Sequence, residues 1–183
     1  MFQLTQEVRL IADATSADQH APPRPASNQE AAEVLFNIAT LLQMQNANPY
    51  RIEAYRNAAR NLLLLPEPVA AILARNAVLH MPGLGARLRR KITELVTTGR
   101  MTFYDDLCEE SLPEDVRALM RVRYVGPRTA LRLADHLDIH SVEQLWRAAD
   151  ARQLRQHHGF GARSERRLAD AARAALVGEA HAA

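Results

Sequence analysis

Hydrophobic positions recur at helical spacing along most of the chain. After Ser27, the residues Ala32, Val34, Leu35, Ile38, Leu41 and Leu42 build one apolar face. Ser27 with Glu30 three residues later is a capping box and marks that helix's start. Asn46 to Pro49 end it. A second helix is predicted from Tyr50 to Leu65, closed by Pro66, and a short third from Pro68 to Arg75. A turn over His80-Met81-Pro82-Gly83-Leu84-Gly85 opens a fourth, which Gly99 stops after Thr98. Thr102 to Leu119 reads as two short helices split at Pro113. Tyr124-Val125-Gly126-Pro127 opens a helix to Leu137, and Ser141 with Gln144 opens another, with Leu145 and Trp146 as core. His157-His158-Gly159-Phe160-Gly161 precedes a final helix through Leu176. Gly178 to Ala183 are expected to fray.

The expected fold is all-α, with two small helical subdomains over residues 27–100 and 101–178, joined near Arg100 to Phe103. An N-terminal extension or linker covers residues 1–26, where Ala21-Pro22-Pro23-Arg24-Pro25 breaks any helix and Phe2 to Ile11 could form one short element. Residues 179–183 are a tail. Composition agrees. Hydrophobic residues are 48% of the 183, enough for a core, while aromatics are only 5%, which favours helices over a sandwich or barrel. The length excludes a binding domain joined to a full polymerase or ligase core. The single cysteine, Cys108, excludes an internal disulfide and a cysteine-based zinc site, and reads as a small buried residue. Apolar runs such as Leu62 to Leu65 are far below a membrane span. Acidic Glu7 and the lack of a basic start do not read as a signal peptide. A soluble cytoplasmic protein, nucleoid-associated if bacterial and with no membrane partner, is expected.

Charge is uneven. Residues 28–100 hold 9 Arg/Lys against 5 acids, residues 101–120 one Arg against 6, and residues 121–183 11 Arg against 7. Two basic segments flank an acidic one, which suits two places that touch phosphate. Asp105, Asp106, Glu109 and Glu110 read as a solvated face or a wall that repels DNA. His157-His158 diverge on a turn without a partner at ligand spacing, so no metal is expected there.

One unit occurs three times: a short helix, a glycine-containing turn and a basic amphipathic helix. The copies are Met81-Pro82-Gly83-Leu84-Gly85-Ala86-Arg87, Val122-Arg123-Tyr124-Val125-Gly126-Pro127-Arg128 and His157-His158-Gly159-Phe160-Gly161-Ala162-Arg163. A helix N-terminus offers unpaired N–H groups and partial positive charge. A glycine before it lets a phosphate approach, and an arginine in the first turn adds a charged contact. Gly83, Gly85, Arg87, Gly126, Arg128, Gly159, Gly161 and Arg163, with Arg90, are therefore phosphate-binding candidates, in contacts that do not read sequence. In the second copy Tyr124 replaces the first glycine and narrows the approach. The alternative is that each glycine merely makes a tight turn between helices.

These turns resemble helix-hairpin-helix motifs, and their order resembles the N-terminal region of family X DNA polymerases over about Asn28 to Val177. The most specific stretches are Asn48-Pro49-Tyr50-Arg51-Ile52-Glu53-Ala54-Tyr55-Arg56, Met81 to Gly85 through Lys91-Ile92, and Thr98-Gly99-Arg100, with Gly159-Phe160-Gly161 and Ser164-Glu165 similar to the bacterial branch. The resemblance implies a lyase domain followed by a helical domain that grips duplex DNA. No Asp-x-Asp pair occurs in the chain, so the carboxylates that two-metal nucleotidyl transfer requires are missing and polymerase activity of this chain by itself is excluded. A separate repair polymerase or ligase is the partner that the missing palm suggests.

Against 22 arginines the chain has one lysine, Lys91, at the motif position of the family's lyase lysine. Arginine stays protonated and cannot form an imine; a neutral lysine can. The implied chemistry is 5′-deoxyribose-phosphate lyase action by β-elimination, with no metal or cofactor. Lys91 lies at the edge of the stripe Leu88, Ile92, Leu95 and Val96, where burial lowers its pKa. Arg87 one turn earlier pushes the same way, and Glu94 one turn later opposes. The resemblance also places Arg51, Arg87 and Tyr55 around a 5′-phosphate, while Tyr50 and Leu79 stand where the family has a histidine and a further lysine. Tyr55 equally suits packing in the bundle. Three readings follow: a sequence-independent DNA-binding module for gapped, nicked or 5′-phosphorylated DNA; a lyase; and a protein-interaction scaffold.

Overall fold

The computed structural model describes residues 26–182. Phe2 to Ile11 and the proline-rich stretch of the extension lie outside the described residues. Nine α-helices and one short 3-10 turn are present among them, with no strand.

Helix α1 (Asn28–Met44) begins where the capping box places it. The Glu30 N–H donates to Ser27 Oγ at 3.2 Å, and the Ser27 N–H donates to Glu30 Oε2 at 2.7 Å. Helix α2 (Pro49–Leu64) starts at a proline whose missing N–H costs nothing there, and Asn48 Oδ1 accepts the Tyr50 N–H at 2.9 Å. Helix α3 (Val69–Ala74) is pinned to α1: Asn28 Oδ1 accepts the Val69 N–H, and Asn28 Nδ2 donates to the Glu67 carbonyl. Helix α4 (Ala86–Thr98) ends at Gly99, whose φ of +74° is the left-handed cap the sequence anticipates. Helices α5 (Thr102–Ser111) and α6 (Glu114–Leu119) are divided at Pro113. Helix α7 (Pro127–Leu137) follows, then α8 (Val142–Asp150), capped by Ser141 accepting the Gln144 N–H.

After the 3-10 turn Leu154–Gln156, helix α9 (Ala162–Ala182) runs past Leu176 to Ala182, so the expected frayed end is helical. Gly178 costs only about 1 kcal/mol in a helix interior, and the alanines beyond it are strong helix formers.

One continuous buried cluster runs from Ala31 to Ala172 and includes Leu35, Leu62, Ile92, Leu119, Leu133, Leu145 and Leu154. The two subdomains meet through α1, which packs against α2, α5 and α7. Asn37 on α1 marks the junction: its Nδ2 donates to Tyr104 Oη on α5 at 3.1 Å, and its Oδ1 faces Gly126 before α7. Cys108 is buried, and burial pushes its thiol pKa up. Leu145 is fully buried and Trp146 is partly buried against the core. The acidic segment is partly paired, with Arg100 on Asp105 at 3.0 Å and Arg117 on Glu109 at 3.7 Å.

His140, ahead of α8, bridges two carboxylates: Nδ1 to Asp115 Oδ2 at 2.6 Å and Nε2 to Asp138 Oδ1 at 3.1 Å. The Asp115 contact first, then Asp138, raises the imidazole pKa, and the imidazole in turn lowers that of Asp115. The raised His140 contributes fully below its ordinary value of 6.5 and less as pH rises through its folded value. The lowered Asp115 contributes above its ordinary 3.8 and less as pH falls through its folded value. The bridge is therefore strongest between those two ordinary values. The stability gap between the unaltered chain and His140→Ala is expected to shrink from about pH 6 to about pH 8 in thermal melts; a gap that does not change with pH would refute the bridge.

Candidate nucleic-acid interface and amine site

The three turns share one hydrogen-bond pattern. The Leu84, Val125 and Phe160 N–H groups donate to the carbonyls of Met81, Val122 and His157. The Arg89, Ala130 and Glu165 N–H groups then donate to the carbonyls of Gly85, Gly126 and Gly161, closing the first turn of α4, α7 and α9. Leu84, Val125 and Phe160 are buried and anchor each turn to the core. The middle position has positive φ each time: Gly83 at +72°, Tyr124 at +71° and Gly159 at +87°. All three copies thus adopt one backbone form, the second with tyrosine at the left-handed position.

The glycines divide by what surrounds them. A Cβ at Gly83, Gly85 or Gly161 would meet nothing within 4 Å, so these backbones open to solvent. A Cβ at Gly126 would stand 2.8 Å from Asn37 Oδ1, and one at Gly159 would stand 2.5 Å from Arg132 Nη2. Those two positions serve internal packing: Asn37 is tied to Tyr104, and Arg132 donates to the His158 carbonyl and covers the Phe160 ring at 4.8 Å. Gly126→Ala is expected to cost about 1–2 kcal/mol, because Asn37 must leave Tyr104. Gly161→Ala is expected to cost only about 0.5–1 kcal/mol, the difference between glycine and alanine at a helix cap. Urea unfolding checks the ranking; equal costs would refute the packing role of Gly126.

The arginines divide in the same way. Arg60, Arg75, Arg100, Arg117 and Arg155 each pair with a carboxylate. Arg87, Arg90, Arg128 and Arg163 are exposed and, among the described residues, form neither ion pairs nor side-chain hydrogen bonds. Arg87, Arg128 and Arg163 lie on the first turns of α4, α7 and α9, with Arg90 one turn further along α4. Arg147, Arg152, Arg166 and Arg173 are exposed and, among the described residues, unpaired elsewhere on the surface. The first hairpin is also braced: Asn61 Nδ2 donates to the Pro82 carbonyl and Arg89 Nη2 to the Leu84 carbonyl, both at 3.3 Å.

Lys91 sits on the inner edge of α4, half-buried beside fully buried Ile92. Its Nζ donates to Tyr55 Oη at 3.1 Å and lies 2.9 Å from the Phe103 ring centroid. Tyr55 and Phe103 stack with centroids 6.0 Å apart, and the Arg51 guanidinium lies 5.3 Å from the Phe103 centroid. Burial, then the Arg51 charge, lowers the Lys91 pKa to about 8, against an opposing pull from Glu94. Lys91 is therefore partly neutral near physiological pH. Arg51 on α2 supplies the like charge that the sequence suggests for Arg87. Glu94 is occupied elsewhere: its Oε1 accepts the Thr102 N–H at 2.8 Å and the Thr102 hydroxyl at 2.7 Å, which satisfies the start of α5. Burial raises the Tyr55 pKa, so its hydroxyl stays protonated, and Leu79 is buried in the core.

Sequence reasoning missed Phe103. It comes from α5, outside the periodicity of α4, and only its place three residues after Arg100 hinted at it. His157 and His158 join no group of three potential metal ligands among the described residues, nor does any other part of them. No described helix is long and apolar enough to cross a membrane.

Two matches coincide with these turns: a helix-hairpin-helix domain over residues 26–101 and a SAM-like helix-hairpin-helix tandem over residues 116–174. Residues 26–101 and 116–174 are thus helix-hairpin-helix domains. The first match holds the Gly83 turn and Lys91, and the second holds the Tyr124 and Gly159 turns. The chain is also 23% identical over 143 residues to the DNA polymerase/3′-5′ exonuclease PolX of Bacillus subtilis (strain 168). That match covers 78% of this chain and 24% of the relative, so the helix-hairpin-helix chain corresponds to a minor part of that protein's length.

Proposed function

We propose that this chain binds DNA through its phosphate backbone without reading base sequence, in a repair-type context, on gapped, nicked or 5′-phosphorylated strands. One observation carries the reading: three turns of identical hydrogen bonding each deliver a helix N-terminus with an exposed, uncommitted arginine on its first turn. N–H groups and guanidinium groups converge there on an anion. Gly85 and Gly161, open to solvent, let a phosphate come close to the backbone. Similarity to a protein named as a DNA polymerase and exonuclease supports DNA as the polymer. On this reading residues 27–100 hold a 5′-phosphate and residues 101–178 grip the flanking duplex. Reversing Arg87 and Arg128 together to Glu is expected to weaken binding of a gapped duplex by more than about tenfold at low salt. Unchanged affinity in an anisotropy titration would favour the scaffold reading.

A specific observation favours a second activity at the same place. Lys91 is the chain's one lysine, and its pKa is lowered to about 8 between two aromatic rings and Arg51. We infer that it acts as the amine of a 5′-deoxyribose-phosphate lyase. The neutral Nζ attacks the C1′ aldehyde of the ring-opened sugar, and loss of water gives an imine. A C2′ proton is then lost and the C3′–O bond breaks, with the DNA 5′-phosphate leaving with the electron pair. Water hydrolyses the imine and returns the amine. Arg51 and Arg87 would hold the phosphate. Phe103 covers the amine and must swing aside to admit the aldehyde.

A further inference from the structure

The second hairpin departs from the other two at one residue. Tyr124 occupies the left-handed position with φ +71°, where an L side chain is disfavoured and where the other copies use glycine. Its ring does not pack into the core and is 42% exposed. Two guanidinium groups lie over it instead: Arg167 from α9, with Cζ 4.3 Å from the centroid, and Arg123 from the turn, at 5.1 Å. Both arginines are exposed, and among the described residues neither is in an ion pair. Beside the ring lies a depression of about 440 Å³ lined by Arg121, Arg123, Tyr124, Arg167, Asp170 and Ala171. Asp170 shares the depression without pairing with either guanidinium, so their charge is not neutralised by contact.

Two like charges brought to one aromatic ring repel each other, and an anion between them removes that repulsion. Stacking uses the flat face of a guanidinium and leaves its in-plane N–H donors free for phosphate oxygens. A ring flanked by guanidinium groups also offers flat surface to a neighbouring base or sugar. We propose that Tyr124, Arg123 and Arg167 form a clamp for a phosphodiester of a nucleic acid strand, an addition to the hairpin contacts on which this inference rests. Tyrosine is retained at a strained position because its ring gathers the two arginines; a glycine there would leave them splayed. Tyr124 lies two residues before Gly126, so the clamp and the first turn of α7 address neighbouring stretches of one backbone.

The test is an anisotropy titration of a labelled gapped duplex bearing a 5′-phosphate, over a range of salt, with a thermal melt of each variant. Tyr124→Gly relieves the backbone and is expected to melt at or above the unaltered chain, yet to bind about five- to tenfold more weakly. Tyr124→Phe keeps the ring and should bind as the unaltered chain does. Arg167→Gln should reduce the salt slope by about one. Binding by Tyr124→Gly as tight as or tighter than the unaltered chain, with Arg87→Glu still weakened, would overturn the clamp and leave the hairpin reading standing. Absence of salt-sensitive binding by the unaltered chain would overturn both.

Discussion

Lys91→Ala is expected to abolish the covalent adduct formed when the protein, a nicked duplex carrying a 5′-deoxyribose phosphate and borohydride are mixed. Lys91→Arg should abolish it too, because a guanidinium keeps the charge but forms no imine. Both variants should still bind a gapped duplex within a fewfold of the unaltered chain, since the hairpins carry the affinity. Trapping should rise with pH and level off above about 8, where Lys91 becomes neutral. Arg51→Ala removes the second-largest cause of the lowered pKa, so its trapping curve should move to higher pH. It should also lose part of the 5′-phosphate contact. The two effects separate at saturating DNA, where only the pH shift remains. An adduct that persists in Lys91→Ala would move the chemistry to another amine, and an Arg51→Ala curve at unchanged pH would remove Arg51 from the site.

The largest stability effect is expected at Glu165, which is 0% exposed. Burial alone would raise its pKa, but hydrogen bonds from the Arg155 N–H and guanidinium and from the Leu154 N–H outweigh burial and lower it. The Arg155 N–H donates to Oε1 at 3.0 Å and the guanidinium donates to Oε2. Glu165 thus clamps the 3-10 turn Leu154–Gln156 to α9 and sets the third hairpin. Glu165→Ala leaves those N–H groups unpartnered and should cost about 2–3 kcal/mol, at the lower end for a buried pair because Arg155 is partly exposed. Glu165→Gln keeps an acceptor and should cost less. The carboxylate's contribution is complete above its ordinary pKa of 4.5 and is lost as pH falls through its lowered folded value. Denaturant unfolding near neutral pH checks the ranking; a cost below about 0.5 kcal/mol for Glu165→Ala would refute the clamp.

Signals that act along the chain were legible in the sequence. Ser27 with Glu30, Pro113, Gly99 and Ser141 with Gln144 set element ends through bonds spanning only a few residues, and all four operate as the spacing predicts. The repeated turn was legible because its buried residue, its cap and its arginine keep a fixed offset. Contacts between elements were not. Phe103 reaches Lys91 from another helix, and Arg51 takes the electrostatic part that helical spacing gives to Arg87. The Glu94 carboxylate is hydrogen-bonded by the Thr102 N–H and hydroxyl, a partner no periodicity reveals. Gly126 and Gly159 read as open approaches, yet Asn37 and Arg132 fill the space in front of them. In sequence an open glycine and a packed one look alike.

Exposed, uncommitted arginines at three matching helix starts point to phosphate as what the chain grips. The direct measurement is the dissociation constant of the unaltered chain against salt, on gapped 5′-phosphorylated duplexes of three unrelated sequences. Each phosphate neutralised contributes about −0.9 to the slope of log affinity on log salt, so three engaged hairpins predict a slope of about −3 or steeper. The slope and the affinity should be the same for all three sequences. A slope near zero, or affinities that differ by more than about tenfold between sequences, would contradict the account.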